Sequence, residues 1–181
     1  MTFIKRTKVK GDLPRLAFWE YPYMLLASFG LTGYAPVASG TVASFAALIV
    51  YLLLPVAALG WLLPLLGVLL FIGGVPATSW MANRYEDEDP SQATVDEGAV
   101  MLLVLVGLPR EWGFVLLAFA LFRLFDIFKP PPCKAAERLS NGWGIMVDDL
   151  IAGFYSAVIL WAVYLADLMP AWLRGDLPVI W

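Results

Sequence analysis

Between residues 21 and 83 the chain carries no Asp, Glu, Lys or Arg. A bilayer's hydrocarbon core is ~30 Å thick and takes about 20 helical residues to cross, so this stretch has room for two crossings with turns between them. The best candidates are residues 42–58 and 61–82, hinged at Gly60, with Pro55 and Pro64 placed to kink the helices or fix their ends. A third uncharged stretch covers residues 150–166, between Asp149 and Asp167. Composition agrees: 61% of the chain is hydrophobic and only 15% charged, against about 45–50% and 25% in soluble domains.

Residues 98–109 and 112–122 are apolar but short, with Arg110-Glu111 between them. They read as a tight hairpin of two short helices turning at Leu108-Pro109-Arg110, which returns the chain to the side it left. The other reading is one crossing followed by a helix buried in protein. Residues 18–31, headed by Trp19, Tyr21 and Tyr23, suit an interfacial or re-entrant helix. The first twenty residues carry Lys5, Arg6, Lys8, Lys10 and Arg15 against Asp12 and Glu20, a basic segment expected to stay cytoplasmic. A cleaved leader is the rival, disfavoured because Glu20 and two nearby prolines interrupt its apolar core. The expectation is a single all-α domain over residues 1–181, a polytopic membrane bundle of four or five spans plus the N-terminal interfacial helix.

That topology puts Asp96-Glu97, Asp126 and Asp148-Asp149 at ends of apolar segments on one side, the cytoplasmic side. Ionisable residues at a membrane span are costly and are read by default as functional. Five converging carboxylates repel one another unless cations intervene, and one or two Mg²⁺ ions supply the charge. The chain has no histidine and one cysteine, Cys133. Oxygen-only ligands favour Mg²⁺ or Mn²⁺ over zinc, and Ser-His-Asp triads and phosphohistidine chemistry are excluded. A formal charge of -3 argues against nucleic acid as a partner.

Each feature has a plainer reading. Asp148-Asp149 at a helix start suits the macrodipole, and Asp126 can simply pair with Arg123 or Lys129, three residues away on either side. Ser39-Gly40-Thr41, a short Gly-containing loop opening the first full span, can cradle an anion or merely cap a helix. The run Glu86-Asp87-Glu88-Asp89 reads as a solvated loop. Cys133 and Arg138 stand at Cys-x4-Arg rather than the Cys-x5-Arg of cysteine phosphatases, and no glycines lie between them, so Cys133 reads as a buried thiol.

The run from Leu121 to Pro132 contains Arg123, Asp126 and Lys129 as Arg-x-x-Asp-x-x-Lys-Pro. It is followed by Gly142-Trp143-Gly144-Ile145-Met146-Val147-Asp148-Asp149. Together these resemble the signature of the phosphatidylglycerophosphatase A family, with Asp96-Glu97 and Ser39-Gly40-Thr41 where that family has its Asp-Glu pair and Pro-Gly-Thr loop. The resemblance covers residues 29–164. Ser39, Ala43 and Val100 depart from it, standing in place of a proline and two glycines.

The resemblance implies a bacterial inner-membrane, Mg²⁺-dependent enzyme that hydrolyses phosphatidylglycerophosphate to phosphatidylglycerol and phosphate. On residue chemistry, Asp96, Glu97, Asp148 and Asp149 hold the metal. Ser39, Gly40, Thr41, Arg123 and Lys129 bind phosphate. Arg123, Asp126, Lys129 and Asp149 act in catalysis, with Asp126 a third-site ligand or the base. Partners are the lipid substrate and membrane lipid, and the oligomeric state is open. Two rivals are a CDP-alcohol phosphotransferase, whose single-segment Asp-Gly and Ala-Arg pattern is missing, and a transporter or channel subunit, whose acids should sit mid-span.

Overall fold

The computed structural model describes residues 16–177. The five basic residues of the N-terminal segment, and the cytoplasmic-start and leader readings attached to them, lie outside that range. Helices α1 (Tyr21–Ala27), α2 (Ser39–Leu53), α3 (Val56–Leu59), α4 (Leu62–Tyr85), α5 (Val95–Val104), α6 (Trp112–Phe128), α7 (Cys133–Ala136) and α8 (Gly142–Leu165) follow in order. Among the described residues the only β contact is an isolated bridge between Glu111 and Asp176. The all-α expectation holds.

Helices α4 and α8, 24 residues each, are long and apolar enough to cross a membrane. At 1.5 Å per residue each reaches about 36 Å. Helix α2 is apolar but shorter. Large apolar side chains face outward on both long helices, with Ile72 63% and Phe154 67% exposed. A continuous apolar face of this kind suits lipid and not water.

Prolines set several boundaries. Leu54 is extended ahead of Pro55, as a residue before proline must be, so α2 stops at Leu53 and not at residue 58. The single turn α3 fills the gap before Gly60. Pro64 falls in the first turn of α4, where a missing N–H costs no helical hydrogen bond. Helices α5 and α6 are consecutive, and the segment that joins them turns through Gly107 at φ +75°. Arg110 in that turn donates to the carbonyls of Leu54 (3.1 Å) and Leu52, and its guanidinium lies 5.7 Å from the centre of the Tyr51 ring. A cation inside an apolar region is thus spent on the electronegative end of α2.

Further boundaries differ from expectation. Helix α6 runs past residue 122 to Phe128, stopped by the proline run after a left-handed Lys129. Helix α8 starts at Gly142, eight residues before the expected 150. Polar residues at the head of α8 hide its start from a charge-based reading, because their charges are buried against other helices and not solvated.

Close helix contacts depend on small residues. The Gly142 N–H donates to Ser79 Oγ at 2.7 Å, and a Cβ on Gly142 would stand 2.1 Å from the Val75 carbonyl oxygen. Because that obstacle is backbone, Gly142→Ala should destabilise the α4–α8 contact by about 1–3 kcal/mol. The check is a drop of several degrees in the melting temperature of the detergent-solubilised chain. Further along α8, Gly153 leaves the space that Val100 of α5 fills, since a Cβ there would lie 2.2 Å from Val100 Cγ1.

Candidate metal centre where α5 meets α8

Asp96 and Glu97 occupy the first turn of α5, where the helix dipole favours carboxylates. That end is anchored by the Thr94 N–H, which donates to the Ala27 carbonyl at 2.9 Å. The first turn of α8 holds no acid. Asp148 and Asp149 lie two turns in, 5% and 3% exposed. They are therefore too deep to cap the helix, and the macrodipole reading of this pair is overturned.

One carboxylate oxygen from each of Asp96, Glu97 and Asp149 lies within 4.8 Å of the other two. Asp96 is only 7% exposed. Asp96 Oδ1, Glu97 Oε2, Asp148 Oδ1 and Asp149 Oδ2 are buried without a hydrogen-bond partner. None of the ion pairs among the described residues involves Asp96, Glu97 or Asp149. The nearest polar partners of these acids are other carboxylates, an arrangement strongly unfavourable for buried anions, and a hard divalent cation is the species that resolves it with oxygen ligands alone. The donor set therefore fits a metal ion.

The cations beside the cluster are engaged elsewhere. Arg123 NH1 is 2.9 Å from Asp126 Oδ2 yet its N–H does not point at that oxygen, so the contact is one of charge. Asp126 also lies close enough to Glu97 and Asp149 to interact with both. Lys129 does not pair with Asp126. Its Nζ donates to Asp148 Oδ2 and to Glu137 Oε1, both at 2.6 Å. Burial acts to lower the Lys129 pKa, and the hydrogen bonds to Asp148 and Glu137 outweigh it, so the ammonium is held charged.

Ser39, Gly40 and Thr41 are the first turn of α2 and not a loop before it. The Ser39 hydroxyl donates to the Ser91 carbonyl at 2.8 Å. Gly40 brings α2 against the acids: a Cβ there would lie 2.0 Å from Glu97 Oε1 and 3.2 Å from Arg123 NH1. Thr41 is half-buried in the same turn. Cys133 is fully buried, as expected, and burial pushes its thiol pKa up. The run 86–89 is mostly exposed, although Asp89 is near enough to Asp148 to influence it.

Two contacts were beyond sequence reasoning. Glu137 reaches Lys129 across the proline turn, eight residues away, and no periodicity signals such a pair. The packing of Gly40 on Glu97 joins residues 57 positions apart, and only the paired glycine and acid motifs hinted at it.

The family model of phosphatidylglycerophosphatase A matches residues 25–164. The chain belongs to the phosphatidylglycerophosphatase A family. An Escherichia coli K12 protein named phosphatidylglycerophosphatase A is 36% identical over 168 residues, covering 90% of this chain and 94% of its own length. A Haemophilus influenzae protein of the same name is 44% identical over 70 residues, 38% of this chain and 43% of the relative. A Bacteroides thetaiotaomicron protein named "Putative phosphatidylinositol-3-phosphatase" is 38% identical over 149 residues, 77% of this chain and 91% of the relative. No solved structure matches the chain. Membership of the phosphatidylglycerophosphatase A family makes the chain a hydrolase, a lipid phosphatase acting on a phosphate monoester.

Proposed function

We propose that the chain hydrolyses phosphatidylglycerophosphate to phosphatidylglycerol and inorganic phosphate, with Mg²⁺ held by Asp96, Glu97 and Asp149. The observation that carries this reading is the convergence of carboxylates from buried Asp96 and Asp149 and half-buried Glu97, with Arg123 near Glu97 and Lys129 bound to the adjacent Asp148. When bound there, a divalent cation offsets the acids' repulsion and polarises a phosphoryl oxygen. Asp148 belongs to the same acidic group and positions Lys129 through its 2.6 Å contact.

The rest of the chemistry falls to side chains. Lys129 and Arg123 bind the remaining phosphoryl oxygens and steady charge that builds during transfer. The α2 N-terminus at Ser39-Gly40-Thr41 presents backbone N–H groups toward the same anion. Asp126, held by Arg123, takes the proton of the attacking water. The water oxygen forms the new bond to phosphorus while the bond from phosphorus to the glycerol oxygen breaks; that oxygen takes a proton from the aqueous layer and leaves as phosphatidylglycerol, and Asp126 returns its proton to the same layer.

Four helix ends meet at this level, the starts of α2, α5 and α8 and the end of α6, with the start of α8 packed on Val75 and Ser79 of α4. This supports a multi-pass bundle in a bacterial inner membrane, with α2, α4, the α5–α6 hairpin and α8 as its membrane elements and the acids facing the cytoplasm. A lipid phosphate at the headgroup plane then meets the acids while its chains stay in lipid.

Phosphate release from phosphatidylglycerophosphate in detergent, with and without EDTA, tests the reading. Loss of several kcal/mol of charge stabilisation corresponds to a fall of at least ~100-fold, reversed by added Mg²⁺. Phosphatidylinositol 3-phosphate, the substrate implied by one relative's name, serves as the competing lipid. Metal-independent turnover, or turnover of that lipid alone, would contradict the proposal.

A further inference from the structure

The Lys129 ammonium has three N–H donors, and two are taken, by Asp148 Oδ2 and Glu137 Oε1 at 2.6 Å each. The two acids differ in what they stand to lose. Asp148 is buried, its side chain 7% exposed, and separation from Lys129 would leave a bare charge inside the bundle. Glu137 has a side chain 45% exposed and is well solvated without its partner. It also closes the short turn α7 on the outer flank of Lys129, between exposed Lys134 and Arg138. An anion reaching Lys129 from the water layer would meet Glu137 first.

We propose that Glu137 is a placeholder for the substrate phosphate: it occupies the outer donor of Lys129 in the free enzyme and is displaced by the phosphoryl dianion. The inference rests on the reading of Lys129 as a phosphate ligand. An exposed carboxylate–ammonium pair contributes only about 0.2–1 kcal/mol, so a dianion that also contacts Arg123 displaces it readily. The same weak contact sets a ceiling on affinity, because a dianion entering at the open third donor competes with Glu137 for the charge of the ammonium. Glu137 thereby keeps Lys129 ordered between turnovers and limits retention of product phosphate.

Kinetics of Glu137→Gln test this, since the amide keeps the shape and removes the competing charge. The expected result is a KM for phosphatidylglycerophosphate lower by about two- to fivefold, the ratio equivalent to that weak pair. Inhibition by inorganic phosphate should tighten by a similar factor, and Glu137→Asp should stay near wild type. Unchanged or weaker phosphate inhibition in Glu137→Gln would overturn the proposal, as would a raised KM, which would mark Glu137 as a mere support for Lys129. Lys129→Met separates this from failure of the parent reading, with thermal-shift titration of inorganic phosphate as a readout independent of turnover. If Lys129→Met leaves both kinetics and phosphate binding intact, Lys129 is no phosphate ligand and both readings fall. If it weakens phosphate binding while Glu137→Gln changes nothing, the placeholder alone is wrong.

Discussion

Asp149→Asn is expected to lower phosphate release by more than ~100-fold while leaving the chain folded and, without metal, more stable. Loss of a group that merely supports a metal ligand already costs about 10–100-fold, and here a ligand itself is removed. The stability effect has the opposite sign. Asp96, Glu97 and Asp149 hold oxygens within 4.8 Å of one another with no protein cation paired to them. At an effective dielectric near 20, like charges at that separation repel by a few kcal/mol, so replacing one with a neutral amide relieves the metal-free cluster. Melting curves in EDTA should shift upward by a few degrees, and the stabilisation that Mg²⁺ confers on the wild-type chain should shrink. A variant that kept full turnover would remove Asp149 from the metal site. One that lost turnover and also melted lower in EDTA would make it a structural acid.

Gly40→Ala should be nearly as damaging and for a different reason. The new Cβ would stand 2.0 Å from Glu97 Oε1 and 3.2 Å from Arg123 NH1. Both obstacles are ends of flexible side chains, so the helix can keep its place while the Glu97 carboxylate is pushed out of the cluster. A displacement near 1 Å in a catalytic constellation costs on the order of 100-fold. Turnover should fall by that order with a melting temperature close to wild type, and the Mg²⁺ concentration needed for half-maximal activity should rise. An active Gly40→Ala with unaltered Mg²⁺ dependence would show that α2 does not press on Glu97. Gly142→Ala makes the contrast: its obstacle is backbone, so it should cost stability first.

Much of the fold was legible because it follows from where charge is missing. The uncharged stretch from residue 21 to 83 implied two helices hinged at Gly60; the structure has two, α2 and α4, but α2 already ends before Pro55 and the single turn α3 fills the interval. Arg110 between two short apolar runs implied a turn, and that turn is where it binds the end of α2. The errors lie where charge is buried. Treating Asp148-Asp149 as a boundary put the start of α8 eight residues late, because a charged pair at a helix contact looks in sequence like a charged pair at a surface. The same limit applies to the site. Acidic residues could be gathered to one end from topology alone, yet which oxygens converge depends on the rotation of α5 against α8, and that rotation is set by the fit of Val100 into the space at Gly153. Lys129 was placed on one face with Asp126 by its spacing. The left-handed turn at Lys129 swings it away to Asp148 and Glu137.

The account depends on acids from two distant segments sharing one divalent cation. Crystals of the detergent-solubilised chain soaked in Mn²⁺, with anomalous differences recorded at the manganese edge, test it most directly. The predicted result is a peak within bonding distance of carboxylate oxygens from Asp96, Glu97 and Asp149 together. A peak only at the exposed run 86–89, or bound to α5 or α8 alone, would contradict it.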